Sequence, residues 1–183
     1  MVKKAIVVLA EGFEEIEAVT IIDILRRAGI GVTVASLDDL KVQGSHGVTV
    51  LADIELEKAG SDFDACVLPG GMPGSTHLAT SKTVQDLIEK MNREKKIVAA
   101  ICASPSLALA PLGVLNNKKA TCYPGMQTHF RQDTAYKTDD VVIDGNIITS
   151  RGPATAILFS LAIVEKLIGK ETAEKVKKAT LAG

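Results

Sequence analysis

Residues 97–105, which read IVAAICASP, decide the fold of this chain. The five apolar residues Ile97–Ile101 predict a strand that is covered on both faces, as strands of a parallel sheet are. Small residues follow at once, and Pro105 suits the first turn of a helix predicted over 105–110. A tight strand-to-helix turn presents its central side chain outward, so Cys102 occupies the place of the serine in a nucleophile elbow.

The same alternation of apolar runs and amphipathic stretches extends over the rest of the chain. Further strands are predicted at Ala5–Ala10, Gly31–Ser36, Gly47–Leu51, Ala65–Leu68, Val141–Ile143 and Ile147–Thr149. Further helices are predicted at Glu15–Ala28, Lys82–Lys95, Ala154–Ile168 and Glu171–Leu181. Asp144-Gly145 indicates a hairpin between the last two strands. We therefore expect one α/β domain over residues 1–183, a flavodoxin-like sandwich whose mostly parallel sheet has helices on both faces.

Composition narrows the class of protein. The chain has 183 residues, of which 46% are apolar, and a net charge of −1. A nucleic-acid partner is not expected, because such proteins carry a basic patch, and no apolar run reaches the roughly 18 residues of a membrane span. The apolar run that begins near the N-terminus stops at Glu11 and predicts a strand rather than a signal peptide. Three widely spaced cysteines fit free thiols in a reducing compartment, so we expect a cytoplasmic protein.

Chemistry-bearing residues follow three of the predicted strands. Residues 11–17 follow the first strand, 69–71 follow the third and Cys102 follows the fourth. Sites in open parallel sheets form at the carboxyl ends of strands, so these segments are expected at one edge. The N–H groups and dipole of a following helix would lower the pKa of the Cys102 thiol. A buried structural thiol is the alternative, and the residues alone leave the two interpretations equally weighted.

Glu17 is the acid predicted to accompany this thiol. Glu14 and Glu15 belong to the first turn of a helix, where acids are favourable and ordinarily solvated. Helical spacing puts Glu17 on a different face, beside Ala18 and Ile21, where burial would raise its pKa. A protonated Glu17 could donate a hydrogen bond to a thiolate, and an ionised one could act as a general base.

Backbone donors complete the predicted site. Gly70 and Gly71 leave a bare backbone edge whose N–H groups could form an oxyanion hole with that of Ala103. An ordinary glycine-rich loop is the alternative. No phosphate-loop lysine follows, so nucleotide binding is not predicted.

The remaining candidates are weaker. The three histidines, His46, His77 and His129, are too scattered to predict a metal site. His77 fits a surface helix, while His129 could supply a base if its loop folds back. Cys66 lies within a strand and is expected in the core. Cys122 could be a resolving thiol for Cys102 if its segment lines the site.

Several stretches, spread in order over nearly the whole chain, carry a family resemblance. They are GFEEIE (12–17), RRAGI (26–30), VLPGG (67–71), AAICA (99–103) and TSRGPAT (149–155). Together they resemble the ThiJ/PfpI superfamily, and most closely its Parkinson-disease-protein-like branch of deglycases and redox-responsive chaperones. None of the stretches would be specific alone.

The resemblance implies a set of roles. Cys102 matches the reactive, easily oxidised cysteine, Glu17 the buried glutamate bonded to it, and Gly71 and Ala103 the oxyanion donors. It implies a homodimer without a cofactor, acting as a glyoxalase III-like or protein deglycase-like hydrolase or lyase. Its substrates would be small dicarbonyls such as methylglyoxal, or early adducts on glycated proteins. The alternative implied role is an oxidative-stress sensor or redox-regulated chaperone that acts through oxidation of Cys102.

One position departs from the family pattern. Many relatives have a histidine near the cysteine, just before a proline, and here Tyr123 precedes Pro124. Tyrosine is a poor base near neutral pH because its pKa is about 10. Either Glu17 would then move the protons or His129 would replace the lost base. Ala103 stands where the peptidase-like branch has histidine, which disfavours a protease.

Overall fold

The computed structural model of the chain describes residues 2–182. Its strands, numbered along the chain, are β1 (Lys4–Leu9), β2 (Gly31–Ser36), β3 (Lys41–Gln43), β4 (Thr49–Leu51), β5 (Ile54–Glu55), β6 (Ala65–Leu68), β7 (Ile97–Ile101), β8 (Lys119–Ala120), β9 (Ala135–Tyr136), β10 (Val141–Asp144) and β11 (Ile147–Ser150). Its α-helices are α1 (Glu15–Arg27), α2 (Gly74–Thr80), α3 (Lys82–Arg93), α4 (Ala156–Ile168) and α5 (Lys170–Ala179). A π-helix covers Pro105–Leu109, and 3₁₀ turns cover Leu56–Lys58, Met126–His129 and Pro153–Thr155.

Seven strands form the central sheet, in the order β10-β11-β7-β6-β1-β2-β5. All neighbouring pairs are parallel except β10 and β11, which form an antiparallel hairpin. Without the edge strands β5 and β10, the parallel strands follow the chain order 2-1-3-4-5, which is that of flavodoxin-like folds. The predicted fold class and the hairpin at Asp144-Gly145 are confirmed.

Side chains alternate across the sheet into two cores. On β1, Val7 and Leu9 pack with α1 and α4, whereas Ile6 and Val8 pack on the opposite face with α3. Both faces of the strand are fully buried, which explains why the central strands are continuous apolar runs. None of the helices in the described part of the chain is both long and apolar enough to cross a membrane.

Several local elements differ from the sequence-based expectation, among them the short strands β5, β8 and β9, which were not predicted. The predicted strand at 47–51 is β4, and it pairs antiparallel with the unpredicted β3 outside the main sheet. Helix α2 was not predicted, because GSTHLAT lacks an apolar period. The helix expected at 105–110 is a π-helix of five residues.

The sheet order places the site. Strands β1 and β6 are neighbours whose following connections run to opposite faces, and ligands bind at the carboxyl ends of strands at such a switch point. The segments after β1, β6 and β7 meet there.

Candidate active site

Cys102 stands at a strained turn directly after β7. Its φ of 64° lies in the left-handed region, which non-glycine residues adopt uncommonly. The turn is fixed on both sides, because the Cys102 N–H donates to the Ser150 carbonyl at 3.0 Å and the Tyr123 N–H donates to the Cys102 carbonyl at 2.8 Å. The thiol is partly exposed, whereas Cys66 and Cys122 are buried.

Glycines make the close approach of the loop after β6 possible. A Cβ on Gly70 would lie 2.5 Å from the Cβ of Cys102 and 2.7 Å from Oε2 of Glu17, so no other residue fits between them. Gly71 has a φ of +93°, and a Cβ there would meet the backbone nitrogen of Glu14 at 2.3 Å. The glycine pair is thus a steric requirement of the site.

Glu17 is fully buried beneath this loop. Its Oε2 accepts a hydrogen bond from the Gly70 N–H at 2.7 Å. Its Oε1 is buried without a hydrogen-bond partner among the described residues, although the Cys102 thiol is close enough to affect the carboxyl. Burial raises the pKa of Glu17 to about 7, against the lowering effects of the Gly70 N–H and Cys102. The predicted inward face and raised pKa of Glu17 agree with the structure.

The predicted lowering of the Cys102 pKa is wrong. Burial, and then the negative charge of Glu17, raise the pKa of the Cys102 thiol to about 12. Hydrogen bonds from the N–H groups of Gly71 and Ala103 act in the opposite direction but do not outweigh these effects. The following π-helix has only five residues and does not restore the balance.

The two groups therefore titrate as a pair. The charge of one disfavours ionisation of the other, so between the two pKa values the pair holds a single negative charge and one shared proton. When that proton is on Glu17, the repulsion that raises the thiol pKa is gone. The singly protonated pair thus includes a state with a thiolate beside a protonated carboxyl.

Two buried serines at the site were missed by sequence reasoning. The Ser104 hydroxyl donates to the Pro69 carbonyl at 2.5 Å, and its oxygen lies 3.0 Å from the Ser75 hydroxyl. Both serines are fully buried. The only sequence signal was the position of Ser104 in the small-residue turn after Cys102.

Glu14 and Glu15 are buried rather than solvated, contrary to the sequence-based expectation. Glu15 accepts hydrogen bonds from the His46 N–H at 2.6 Å and the Val48 N–H at 3.4 Å, and its Oε2 lies 2.9 Å from Nδ1 of His46. Burial would raise the Glu15 pKa, but these hydrogen bonds lower it to about 2. The bond to Glu15 in turn raises the pKa of the exposed His46.

Potential metal ligands were also sought among residues 2–182. One group, Glu14, Glu15 and His46, has ligand atoms within 4.8 Å of one another, and it contains a single histidine. The Glu14 carboxylate caps α1 by accepting from the Ile16 N–H at 3.2 Å, while Glu15 holds the segment around His46. We therefore describe the group as an ion pair that anchors this segment.

The other predicted residues differ in how exposed they are. Tyr123 is about half exposed, and its ring faces Gly152 in a cavity of about 230 Å³ that Arg151 also lines. Cys122 is buried next to it, and burial raises its pKa. Cys66 is fully buried in the core as predicted, with its pKa raised to about 12.

The two remaining histidines lie on the surface. His129 is exposed at the end of a 3₁₀ turn, and no hydrogen bond joins it to a site residue within the described part of the chain. His77 is exposed on α2, as predicted for a surface helix residue, and its Nδ1 lies 3.1 Å from the Glu11 carbonyl. Neither histidine is placed as the base that Tyr123 fails to supply.

A larger cleft lies away from this chemistry. It has a volume of about 630 Å³ and opens at the amino ends of the strands, near Ile97 and Asn146. Five lysines line it: Lys3, Lys95, Lys96, Lys118 and Lys166. Its size does not make it the reactive centre, because the thiol, acid and backbone donors all meet at the opposite edge.

Comparisons with known proteins give a consistent result. The model of the DJ-1/PfpI family matches residues 3–166. Protein dj-1beta of Drosophila melanogaster is 45% identical over 184 residues, which cover 99% of this chain and 98% of the relative. Protein DJ-1 homolog B of Arabidopsis thaliana is 44% identical over 178 residues, 96% of this chain, but the chain spans only 40% of that relative.

Two further matches bear on chemistry. A Caenorhabditis elegans relative named glutathione-independent glyoxalase DJR-1.2 is 33% identical over 179 residues, which cover 96% of this chain and 95% of that protein. The solved structure of oxidized Toxoplasma gondii DJ-1 superimposes with a TM-score of 0.95 at 39% identity, covering 98% of both chains.

Proposed function

The chain belongs to the DJ-1/PfpI family, and from this premise we propose that it is a cysteine-dependent enzyme acting on small reactive dicarbonyls or early glycation adducts. The observation that carries the proposal is the meeting of the Cys102 thiol, the buried Glu17 carboxyl and the Gly71 and Ala103 N–H groups. The glyoxalase name of the C. elegans relative supports the substrate class. No cofactor is required, because the chain supplies the nucleophile and the acid–base group.

The reaction begins with attack by the Cys102 sulfur on the aldehyde carbon of a dicarbonyl such as methylglyoxal. The C=O electron pair moves to oxygen, and the Gly71 and Ala103 N–H groups stabilise this developing oxyanion. The oxyanion takes the proton held by Glu17, which gives a neutral hemithioacetal and leaves Glu17 as the carboxylate.

Glu17 then moves a proton within the bound adduct. Its carboxylate removes the proton from the hemithioacetal carbon, and the electron pair of that C–H bond forms the C=C bond of an enediol as the ketone oxygen takes up the hydroxyl proton. Glu17 returns its proton to the neighbouring carbon, the C=O bond re-forms on the first carbon, and a thioester of a 2-hydroxy acid is left on Cys102. Water hydrolyses the thioester, releasing the acid and the free thiol. The balance is one water added per dicarbonyl, with no external oxidant or reductant. A Glu17 pKa of about 7 suits a group that both accepts and gives a proton.

Loss of the thiol tests the proposal. We expect Cys102→Ala to lower methylglyoxal consumption, measured together with hydroxy-acid formation, by at least about 1,000-fold, since the nucleophile is removed. Cys66→Ala serves as the matched control, because that thiol is buried in the core. Turnover that persists in Cys102→Ala would rule the mechanism out.

Oxidation sensing is the second candidate, favoured because Cys102 is the more accessible of the three thiols. Two equivalents of peroxide would convert it to a sulfinate, to which the Gly71 and Ala103 N–H groups and a protonated Glu17 could donate. Peroxide titration of the wild type and of the Cys102→Ala and Cys66→Ala variants, followed by intact mass, separates the sensor role from the enzyme role. In a sensor, Cys102 gains two oxygens before Cys66 reacts. This oxidation occurs at peroxide concentrations at which dicarbonyl turnover is no longer sustained.

We also propose that the chain forms a homodimer through an apolar patch made of Ile16, Val19, Val48 and Leu51. All four side chains are about half exposed or more. The first two share one face of α1, and Val48 is joined to that helix by the bond from its N–H to Glu15. Exposed apolar side chains grouped on neighbouring elements are typical of an interface.

A further inference from the structure

One peptide unit of the site is held from both ends. The carbonyl of Pro69 accepts the Ser104 hydroxyl at 2.5 Å, and the N–H of Gly70 donates to Oε2 of Glu17 at 2.7 Å. This carbonyl and this N–H belong to the same peptide plane. Ser104 and Glu17 therefore interact through the peptide although they belong to different segments of the chain.

The direction of the hydrogen bonds follows from counting protons. A serine hydroxyl has one proton, and that of Ser104 is donated to Pro69. The 3.0 Å bond between the two serines must therefore use the proton of Ser75. The chain runs from Ser75 to Ser104, through the Pro69–Gly70 peptide, to Glu17.

Every donor in this chain points towards the carboxyl. Hydrogen bonds arranged in one direction polarise one another, so a donor at the Pro69 carbonyl makes the Gly70 N–H a stronger donor. Ser75, Ser104 and Glu17 are fully buried, which excludes water as a competing partner. Hydrogen bonds to a carboxyl oxygen favour its charged form.

We propose that Ser104, supported by Ser75, is a positioning residue that holds the Pro69–Gly70 peptide against Glu17 and favours the ionised carboxyl over the protonated one. The inference rests on the proposed function and deepens it, because these hydrogen bonds decide whether Glu17 or Cys102 keeps the shared proton. Strengthening the Glu17 carboxylate reserves it for base chemistry and limits the resting thiolate at Cys102.

Removal of these hydrogen bonds shifts the shared proton towards Glu17 and the negative charge towards the Cys102 sulfur. The protonated pair and the state with thiolate beside neutral Glu17 are unaffected, since neither uses the carboxylate. Alkylation of Cys102 at acidic pH, where the protonated pair dominates, therefore keeps its rate. Above the midpoint of the pair, the variant holds more thiolate than the wild type and is alkylated faster.

The experiment measures the rate of Cys102 alkylation by iodoacetamide across pH, with the modified peptide identified by mass spectrometry. For Ser104→Ala we expect unchanged rates at acidic pH and a midpoint higher by about 0.5 pH units, since cooperative strengthening is a fraction of a charge-assisted bond. The alkylation rate on the alkaline plateau rises by the factor that corresponds to this shift, about threefold. Ser75→Ala shifts both in the same direction by less.

Ser160→Ala is the matched control, because Ser160 is a fully buried serine whose hydroxyl bonds to Ala156 within α4. Its profile should coincide with that of the wild type. A Ser104→Ala profile that is unchanged overturns the proposal. So does a profile in which alkylation is slower by the same factor at every pH, because that result indicates only that the N–H donors around the thiol have moved. If Ser104→Ala does not fold, an unchanged midpoint in Ser75→Ala overturns it.

The alkylation is stoichiometric and needs no substrate. Failure of the proposed enzyme function would instead show as a wild type without dicarbonyl turnover, or as turnover that persists in Cys102→Ala. The two outcomes are therefore distinguishable.

Discussion

Glu17 lowers the stability of the fold at alkaline pH, because its carboxyl is buried. Its pKa is about 7 in the folded chain against 4.5 for an ordinary glutamate, so the folded state binds the proton more tightly. Stability from this group is fully present below pH 4.5 and is lost as the pH rises through 7. The loss amounts to about 3 kcal/mol at alkaline pH.

Glu17→Gln removes this dependence, since an amide does not ionise. Relative to the wild type, the variant should gain up to about 3 kcal/mol in free energy of unfolding between acidic and alkaline pH. Urea unfolding at a series of pH values measures the difference. The exposed Glu174→Gln on α5 is the control and should show no such trend. A difference between Glu17→Gln and wild type that is constant with pH would contradict the prediction.

At the residue scale, the sequence predicted the positions of the reactive groups better than the pKa of the Cys102 thiol. Helical spacing correctly predicted that Glu17 faces inward, and the small-residue turn predicted the position of Cys102. The direction of the Cys102 pKa was wrong, because burial and the Glu17 charge depend on three-dimensional packing. Ser104 was missed for the same reason, since its partners are 29 and 35 residues away in sequence.

At the element scale, Glu15 connects α1 to the β3–β4 hairpin. Four groups at residues 45–48 bond its carboxylate: two backbone N–H groups, the Ser45 hydroxyl and the His46 ring. Gly44 lets the loop approach, because a Cβ there would lie 2.4 Å from the Glu15 carboxyl. One buried carboxylate thus orders a hairpin that has no partner strand in the main sheet.

Glu15→Gln should destabilise the chain by about 2 kcal/mol at neutral pH, since a charge-assisted bond is lost and one amide group opposes N–H donors. The folded pKa of about 2 lies below the ordinary 4.5, so the contribution of Glu15 is present above pH 4.5 and is lost as the pH falls towards 2. Chemical unfolding should therefore show the difference from wild type narrowing in acid. A difference that stays constant or widens in acid would refute this account.

Elements with a strong local pattern were predicted closely. The bounds of β2, β6 and β7 agree with the sequence. Strands β6 and β7 are apolar runs ended by Pro69-Gly70 and by a small-residue turn, and β2 is a β-branched run that begins after the stop of helix α1 at Gly29. Helix α2 and strand β3 gave no such pattern, since both are short and are held by contacts to distant segments. The order of the strands also lay beyond the sequence, although their alternation with helices implied a parallel sheet.

At the scale of the whole molecule, the apolar patch predicts the oligomeric state. Val19→Asp places a charge at its centre, which should convert the homodimer to a monomer because an unpaired charge is costly to bury. Sedimentation velocity measures the change. Ile143→Asp, on the exposed side of edge strand β10, is the control and should leave the dimer intact. A wild-type chain that sediments as a monomer, or a Val19→Asp chain that stays dimeric, would exclude this interface.

The two edges of the central sheet also bear on how the molecule resists aggregation. At one edge β5 has only two residues and passes directly into a 3₁₀ turn. At the other, β10 is preceded by Asp139 and Asp140 and ends at Asp144. A short strand and flanking charges deprive a second sheet of a template for edge pairing. Concentrated solutions should therefore resist growth into cross-β fibrils for as long as the chain stays folded.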